Sequence, residues 1–200
     1  YRITTVAPVS GTASTRVTYT HSTRAAVHET TNWSSVASWV LNGRLLLGGV
    51  VSAIDSVSTT TATLNTVLNP GQNVSQTASW TLYKNIYTLP SGFLAMEDFV
   101  DTSGVYGQRV SYDEFMRDER VYQDTGDAWR YAIIPDPDNL GSMAVALYPY
   151  PSGVDTYDFI YKRKPRELRV TGAGDDHTVG TVSNSSTAVT GTGTAFSQAM

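Results

Sequence analysis

A chain of 200 residues, 40% of them hydrophobic, is long enough for one good core or two small ones. Only 16% of the residues are charged, well under the usual quarter, and serine, threonine and asparagine supply the polarity instead, which favours β structure. Fourteen basic against eighteen acidic residues give a formal charge of -4, which excludes the whole chain as a general electrostatic sink for nucleic acid. With no cysteine, disulfides, thiolate metal sites and a cysteine nucleophile are excluded too.

From the N-terminus, residues 16–68 are rich in threonine and valine, with period-two runs at 16–20 (RVTYT) and 61–64 (TATL). Asn42-Gly43 and Gly48-Gly49 separate them, and both features are strand and turn signals. The glycine pair, followed by Val50, Val51, Ala53, Ile54 and Val57, predicts a strand that bends or bulges before re-entering a core. A small barrel or sandwich is expected here. The most apolar stretch, 39–54, is broken by Asn42, Arg44 and two glycines, whereas a membrane span needs about 20 nearly unbroken apolar residues. No charged-then-apolar leader is read, so any such signal lies outside the sequence shown or never existed.

A turn cluster at 69–73 (NPGQN) precedes renewed strand patterns at 80–83 (WTLY) and 86–89 (IYTL), up to Pro90. The exception to β is 111–123 (SYDEFMRDERVYQ). Ser111 and Glu114 have capping-box spacing, and Tyr112, Phe115, Met116 and Tyr122 fall near one face of a short helix over 112–122. Gly126 is expected to serve the helix end. Strand signals return at 129–134, then a Pro-Asp-rich turn at 135–139, then 145–168, VALYPYPSGVDTYDFIYKRKPREL. In this stretch two apolar-aromatic runs flank a Pro-Ser-Gly turn, which predicts a β-hairpin with a basic end.

The last thirty residues echo the first module. An offset of 179 − 17 = 162 sets Val179 on Val17, Ala188 on Ala26 and Val189 on Val27, with Phe196 near Trp33 after a one-residue slip. Thr/Ser/Val-rich strands also resemble each other by chance. If the echo is a repeat, its second copy continues past Met200.

Few residues offer chemistry. His21, His28 and His177 lie in Thr/Ser-rich surroundings and read as solvent-exposed; the odd separation of the first two sets them on opposite faces of an unbroken strand, a poor arrangement for joint metal ligation. The carboxylate pairs Asp124/Asp127, Asp136/Asp138 and Asp175/Asp176 read as turn residues capping their own backbone, since no EF-hand loop is present and sequence neighbours rarely face each other as glycosidase carboxylates do. Gly191 and Gly193 sit among threonines and read as turn residues, not a phosphate cradle. The sequons at Asn32, Asn73 and Asn184 are expected by chance in so Ser/Thr-rich a chain. No catalytic, cofactor-binding or metal-ligating residue is assigned, and no cofactor.

The one local charge feature is Lys162, Arg163, Lys164, Arg166 and Arg169. On a strand Arg163 shares a face with Tyr157, Phe159 and Tyr161, and Lys162 and Lys164 share the other with Ile160. Cations beside aromatics suit a nucleic-acid groove. A charged strand end that resists edge pairing, or ion pairs to an acidic neighbouring subunit, are the alternatives.

Residues 80–96 (WTLYKNIYTLPSGFLAM) and 146–168 carry a family resemblance. The Tyr-x-Leu-Pro strand entry Tyr87-Thr88-Leu89-Pro90, the apolar run Phe93-Leu94-Ala95-Met96, and the element running from Tyr161 through Pro165 to Leu168 resemble tailed-bacteriophage neck proteins of the head-to-tail adaptor or connector type. The VTGTGTAF run at 189–196 is similar to Thr-Gly-rich modules of phage virion proteins. The N-terminal helices by which such adaptors pack against the portal have no counterpart in the strand signals before Trp80. The resemblance implies a non-enzymatic structural protein of the virion neck: a homo-oligomeric ring, commonly of twelve copies, that bridges portal and tail, meets other neck or tail proteins and surrounds a channel through which DNA passes, with no membrane partner. A net acidic chain suits such a channel, because strong phosphate contacts would hold the DNA. The basic residues 162–169 are then candidates for a subunit interface or the DNA channel, the former preferred. The other reading is a carbohydrate- or receptor-binding β module of a tail fibre or cell-surface protein, in which exposed aromatics such as Trp33 or Trp39 stack on sugars.

The expected fold is mainly β. A Thr/Val-rich module over 13–79, taken as an insertion, joins a core sheet domain of 1–12 with 80–170 that carries the short helix 112–122, and 171–200 begins a second Thr/Gly-rich module.

Overall fold

Alternation of threonine with larger apolar residues hides every second side chain, as a half-buried strand requires: Val17 and Tyr19 are buried and Thr18 and Thr20 partly exposed, and Ala62 and Leu64 are buried between partly exposed neighbours. The computed structural model describes residues 1–11, 17–28, 32–65, 74–76, 80–165, 181–185 and 188–192. In chain order its strands begin β1 (Arg2–Thr4), β2 (Val9–Gly11), β3 (Val17–Thr20), β4 (Ala25–His28), β5 (Gly43–Leu47), β6 (Val50–Val57), β7 (Thr61–Leu64), β8 (Val74–Gln76) and β9 (Trp80–Lys84). They continue as β10 (Ile86–Thr88), β11 (Phe93–Asp101), β12 (Gln108–Arg109), the helix α1 (Tyr112–Val121), β13 (Arg130–Pro135), β14 (Met143–Tyr148), β15 (Thr156–Arg163), β16 (Thr181–Ser185) and β17 (Ala188–Thr192). The fold is mainly β, as the composition implied.

Residues 1–164 form one unit and 165–200 another. In the second, β16 and β17 make an antiparallel hairpin with Thr181 opposite Thr192.

Within the first unit, one sheet of eight strands runs β2-β9-β5-β6-β7-β4-β3-β8. Gly48 and Gly49 join β5 to β6 with φ of 58° and 79°, both left-handed, which is the two-residue hairpin geometry that glycine adopts without strain. The predicted bulge comes later: β6 pairs with β5 through Ala53, then with β7, with a register shift between Ile54 and Ser56. One strand thus serves two halves of the sheet, which enclose Tyr19, Trp33, Trp39, Leu45, Ile54, Leu64, Trp80 and Leu82.

The remaining strands form two sheets, β1-β15-β11 and β10-β14-β13-β12. Between them lie Ile3, Tyr87, Phe93, Phe99, Tyr131, Val145, Leu147, Tyr157 and Phe159. The other face of the four-stranded sheet packs Ile86, Ala132, Ile134, Ala144, Ala146 and Tyr148 on Phe115 and Met116 of α1. β14 is therefore buried on both faces, which explains why its sequence is an unbroken apolar run.

The hairpin expected over 145–168 is not formed. β14 already has β10 and β13 at its edges and β15 has β1 and β11, so the two strands belong to opposed sheets and the Pro-Ser-Gly segment arches between them. Val145 and Leu147 lie with Tyr157 and Phe159 in the core between the sheets, where their apolar surface is removed from water.

The helix matches its capping signal. Ser111 is the N-cap, and its hydroxyl accepts the Glu114 amide at 3.2 Å. Its faces differ from expectation: Phe115 and Met116 pack inward, but Tyr112 and Tyr122 are exposed, and Asp118 and Glu119 are the buried neighbours. Nor does Gly126 end the helix. The left-handed residue after the Tyr122 cap is Gln123, at φ 53°, held by its side-chain amide, which donates to the carbonyls of Gly49 at 2.6 Å and Arg120 at 3.2 Å.

Candidate interface surfaces

The basic residues occupy the far end of β15. Lys162, Arg163 and Lys164 are all exposed, and Arg166 and Arg169 lie outside the described residues. Lys162 donates to Glu97 on β11 at 2.9 Å, and that hydrogen bond raises the ammonium pKa. The Lys164 amide donates to the Gly92 carbonyl at 2.7 Å, which pins the strand end. The aromatics expected beside Arg163 face inward. Tyr157 and Phe159 are core residues, and Tyr161 stacks on Phe93 at 5.7 Å, so what 162–164 presents is a set of cations.

A cleft of about 360 Å³ lies against α1, lined by Glu114, Arg117, Asp118, Tyr122, Asp124, Trp129, Arg130 and Tyr148. The helix positions its acids at successive turns: Arg130 donates to Asp118 and stands 3.7 Å from Glu114. Arg117 reaches Asp118 at 3.6 Å and Glu114 at 3.9 Å. The Arg130 guanidinium also lies 4.2 Å from the Trp129 ring centre, a cation–π arrangement. The Tyr148 hydroxyl donates to Asp124 at 3.0 Å; burial first, then that hydrogen bond and the Asp124 charge, push its pKa well up. Three carboxylates face two guanidinium groups, so the cleft is net acidic. Of its contacts only the i,i+3 pair Glu114–Arg117 is local enough to be read from sequence.

A third polar cluster is internal. Glu119 accepts from the Asn85 amide at 2.6 Å and the Tyr83 hydroxyl at 3.4 Å, and lies 3.5 Å from Arg44, whose side chain is 8% exposed. Burial, then the Glu119 charge, raise the Tyr83 pKa well above its ordinary value. This cluster ties α1 to β5 and β9, and so joins the two core regions. No local motif announced it, because its members come from three distant segments.

His28 is not exposed: it is buried with its ring 5.1 Å from Trp80 and 5.7 Å from Trp33, because the β3–β4 hairpin turns it toward the tryptophans. Trp33 and Trp39 are core residues and present no stacking face. Asp136 acts as a turn residue, accepting the Asp138 amide at 2.9 Å. Asp124 turns to Tyr148, whereas Asp127 acts on Asp155, whose pKa is raised by burial and then by that charge. His177, Asp175, Asp176 and Asn73 lie outside the described residues. Among the described residues, no group of three or more His, Asp or Glu is placed to hold a metal ion, and no helix is long and apolar enough to cross a membrane.

Comparison with curated proteins and with solved structures returned no significant match. The model of the SU10 adaptor protein family matches residues 34–185, a span that takes in strands of all the sheets, the acidic cleft, the internal Glu119 cluster and the basic end of β15. The chain belongs to the SU10 adaptor protein family, a phage head-to-tail adaptor family whose members are virion structural proteins acting with other head and tail proteins.

Proposed function

We propose that this protein is a neck adaptor that assembles as a homo-oligomeric ring between portal and tail, around the channel through which DNA passes. The family match over 34–185 carries the reading. Charge supports it: a chain of net charge -4 with a single local cluster of cations, at 162–169, offers DNA few continuous phosphate contacts, and a conduit must not retain its cargo. In this reading the Thr/Val-rich residues 13–79 are a module set on the core sheets, and 171–200 begin another. The basic residues 162–169 lie at a subunit interface in preference to the channel wall. The sugar-stacking alternative loses its two candidate faces, since Trp33 and Trp39 are buried.

Negative-stain imaging and native mass measurement of the purified chain, with mass spectrometry of purified virions, test the proposal. The expected result is a symmetric ring and a virion component of matching mass. A stable monomer absent from virions would sink it.

A further inference from the structure

We infer that the ring contact is head to tail, with the basic end of β15 from one copy seated in the acidic-aromatic cleft beside α1 of the next. The inference rests on the ring reading and names the surfaces that would make it.

The two surfaces lie at opposite ends of the same unit. Arg130 pairs with Tyr148 at one end of the β13–β14 ladder, and Pro135 with Met143 at the other. The cleft residues Arg130 and Tyr148 stand at the first end. At the second, Leu89 donates to the Met143 carbonyl, and the turn that follows Leu89 holds Gly92, to which Lys164 is bonded. A strand of six residues separates them, about 17 Å at the usual rise. They are also on different layers, the tip on the β1-β15-β11 sheet and the cleft on the helix side of the other. A basic tip and an acidic cleft so placed cannot meet within one copy. Between copies they form a contact of two different patches, which closes into a ring when the rotation allows.

Chemistry matches as well. Lys162 already has Glu97 within its own copy, which leaves Arg163 and Lys164 as the cations to be accommodated. In the cleft, Asp118 is 1% exposed and is bonded to Arg130 through Oδ2, while its Oδ1 has no hydrogen bond and stands 3.6 Å from Arg117. Asp124 is exposed beside it, and Tyr122 and Trp129 are 61% and 44% exposed. Carboxylates beside aromatic faces suit an arriving guanidinium or ammonium. A charged interface of this kind sets orientation and register between subunits more than it sets affinity.

The absence of cysteine makes the test clean. Tyr122→Cys on the cleft rim and Lys164→Cys on the tip are placed singly and together in the full chain, with circular dichroism confirming the fold, then oxidised and run on non-reducing gels. The double variant is expected to give a covalent ladder, and each single variant no ladder. Rings by imaging with no ladder would overturn the contact and leave the ring reading standing, whereas neither ring nor ladder would overturn both. Dimers from Lys164→Cys alone would mean a symmetric contact and also overturn it. Labelled duplex DNA is added in parallel. A tenfold or greater loss of binding in Lys164→Glu, with no ladder in the double variant, would assign the tip to DNA instead.

Discussion

Removing the Glu119 carboxylate is expected to loosen the joint between the two core regions. Glu119→Ala leaves the Arg44 guanidinium, 7% exposed as a residue, without its counter-charge, and takes from Asn85 and Tyr83 the acceptor they share. Breaking one side of a buried ion pair costs about 3–5 kcal/mol. An orphaned amide alone would cost about 1–3 kcal/mol, but the terms share one group and do not add, so about 3–5 kcal/mol is the working figure. With a urea m-value of about 2 kcal/mol/M, the midpoint should fall by about 2 M at unchanged m, wild type and variant being compared at one protein concentration. Two controls isolate the charge. Glu119→Gln keeps an oxygen for Asn85 and Tyr83 and should lose less, and Arg44→Met with Glu119→Ala should cost less than the two single changes summed, by about 1–3 kcal/mol. A loss below about 1 kcal/mol for Glu119→Ala, or strict additivity in the double change, would refute the assignment of this cluster as the joint.

Three further outcomes are expected. Trp80→Ala empties the centre of the Trp33-Trp80-His28 contact and should cost about 3–5 kcal/mol in chemical denaturation; retention of wild-type stability would contradict the eight-stranded core. Tyr157 accepts the Ala128 amide at 2.8 Å, and its phenol is pushed up to about 12 by burial and by Asp155, Asp127 and Asp101. Its folded pKa lies above the unfolded value of about 10, so the stability it contributes is complete below pH 10 and is lost as pH rises toward 12; Tyr157→Phe should flatten that alkaline decline, followed by ultraviolet phenolate titration and denaturation. Ser111→Ala removes the cap of α1 and should cost about 1 kcal/mol, with Ser111→Gly recovering most of the loss.

Local features were legible in the sequence and pairings were not. Ser111 and Glu114 announced the helix start because a cap bonds within one turn. The alternation at 17–20 and 61–64 announced strands because burial repeats every second residue. The sheet partner of a strand is a property of distant segments: β15 pairs with β1 and β11, so a Pro-Ser-Gly sequence between two aromatic runs read as a hairpin where the chain arches between sheets. The same limit applies to the surfaces. Lys162, Arg163 and Lys164 stood out as consecutive cations, whereas the cleft draws on α1, on the turn after it, and on β13 and β14. Asp118 and Glu119 are buried on the helix because Arg130 and Arg44 reach them from other strands. His28 and the tryptophans were misjudged for a related reason, since their surroundings are polar in sequence and aromatic in space.

The most direct test of the account is density for the neck of the virion at a resolution that traces strands. A ring between portal and tail, into which residues 1–164 fit with the end of β15 of each copy against α1 of its neighbour, is the predicted result. Density that places the chain at fibre tips, or a neck from which it is missing, would contradict it.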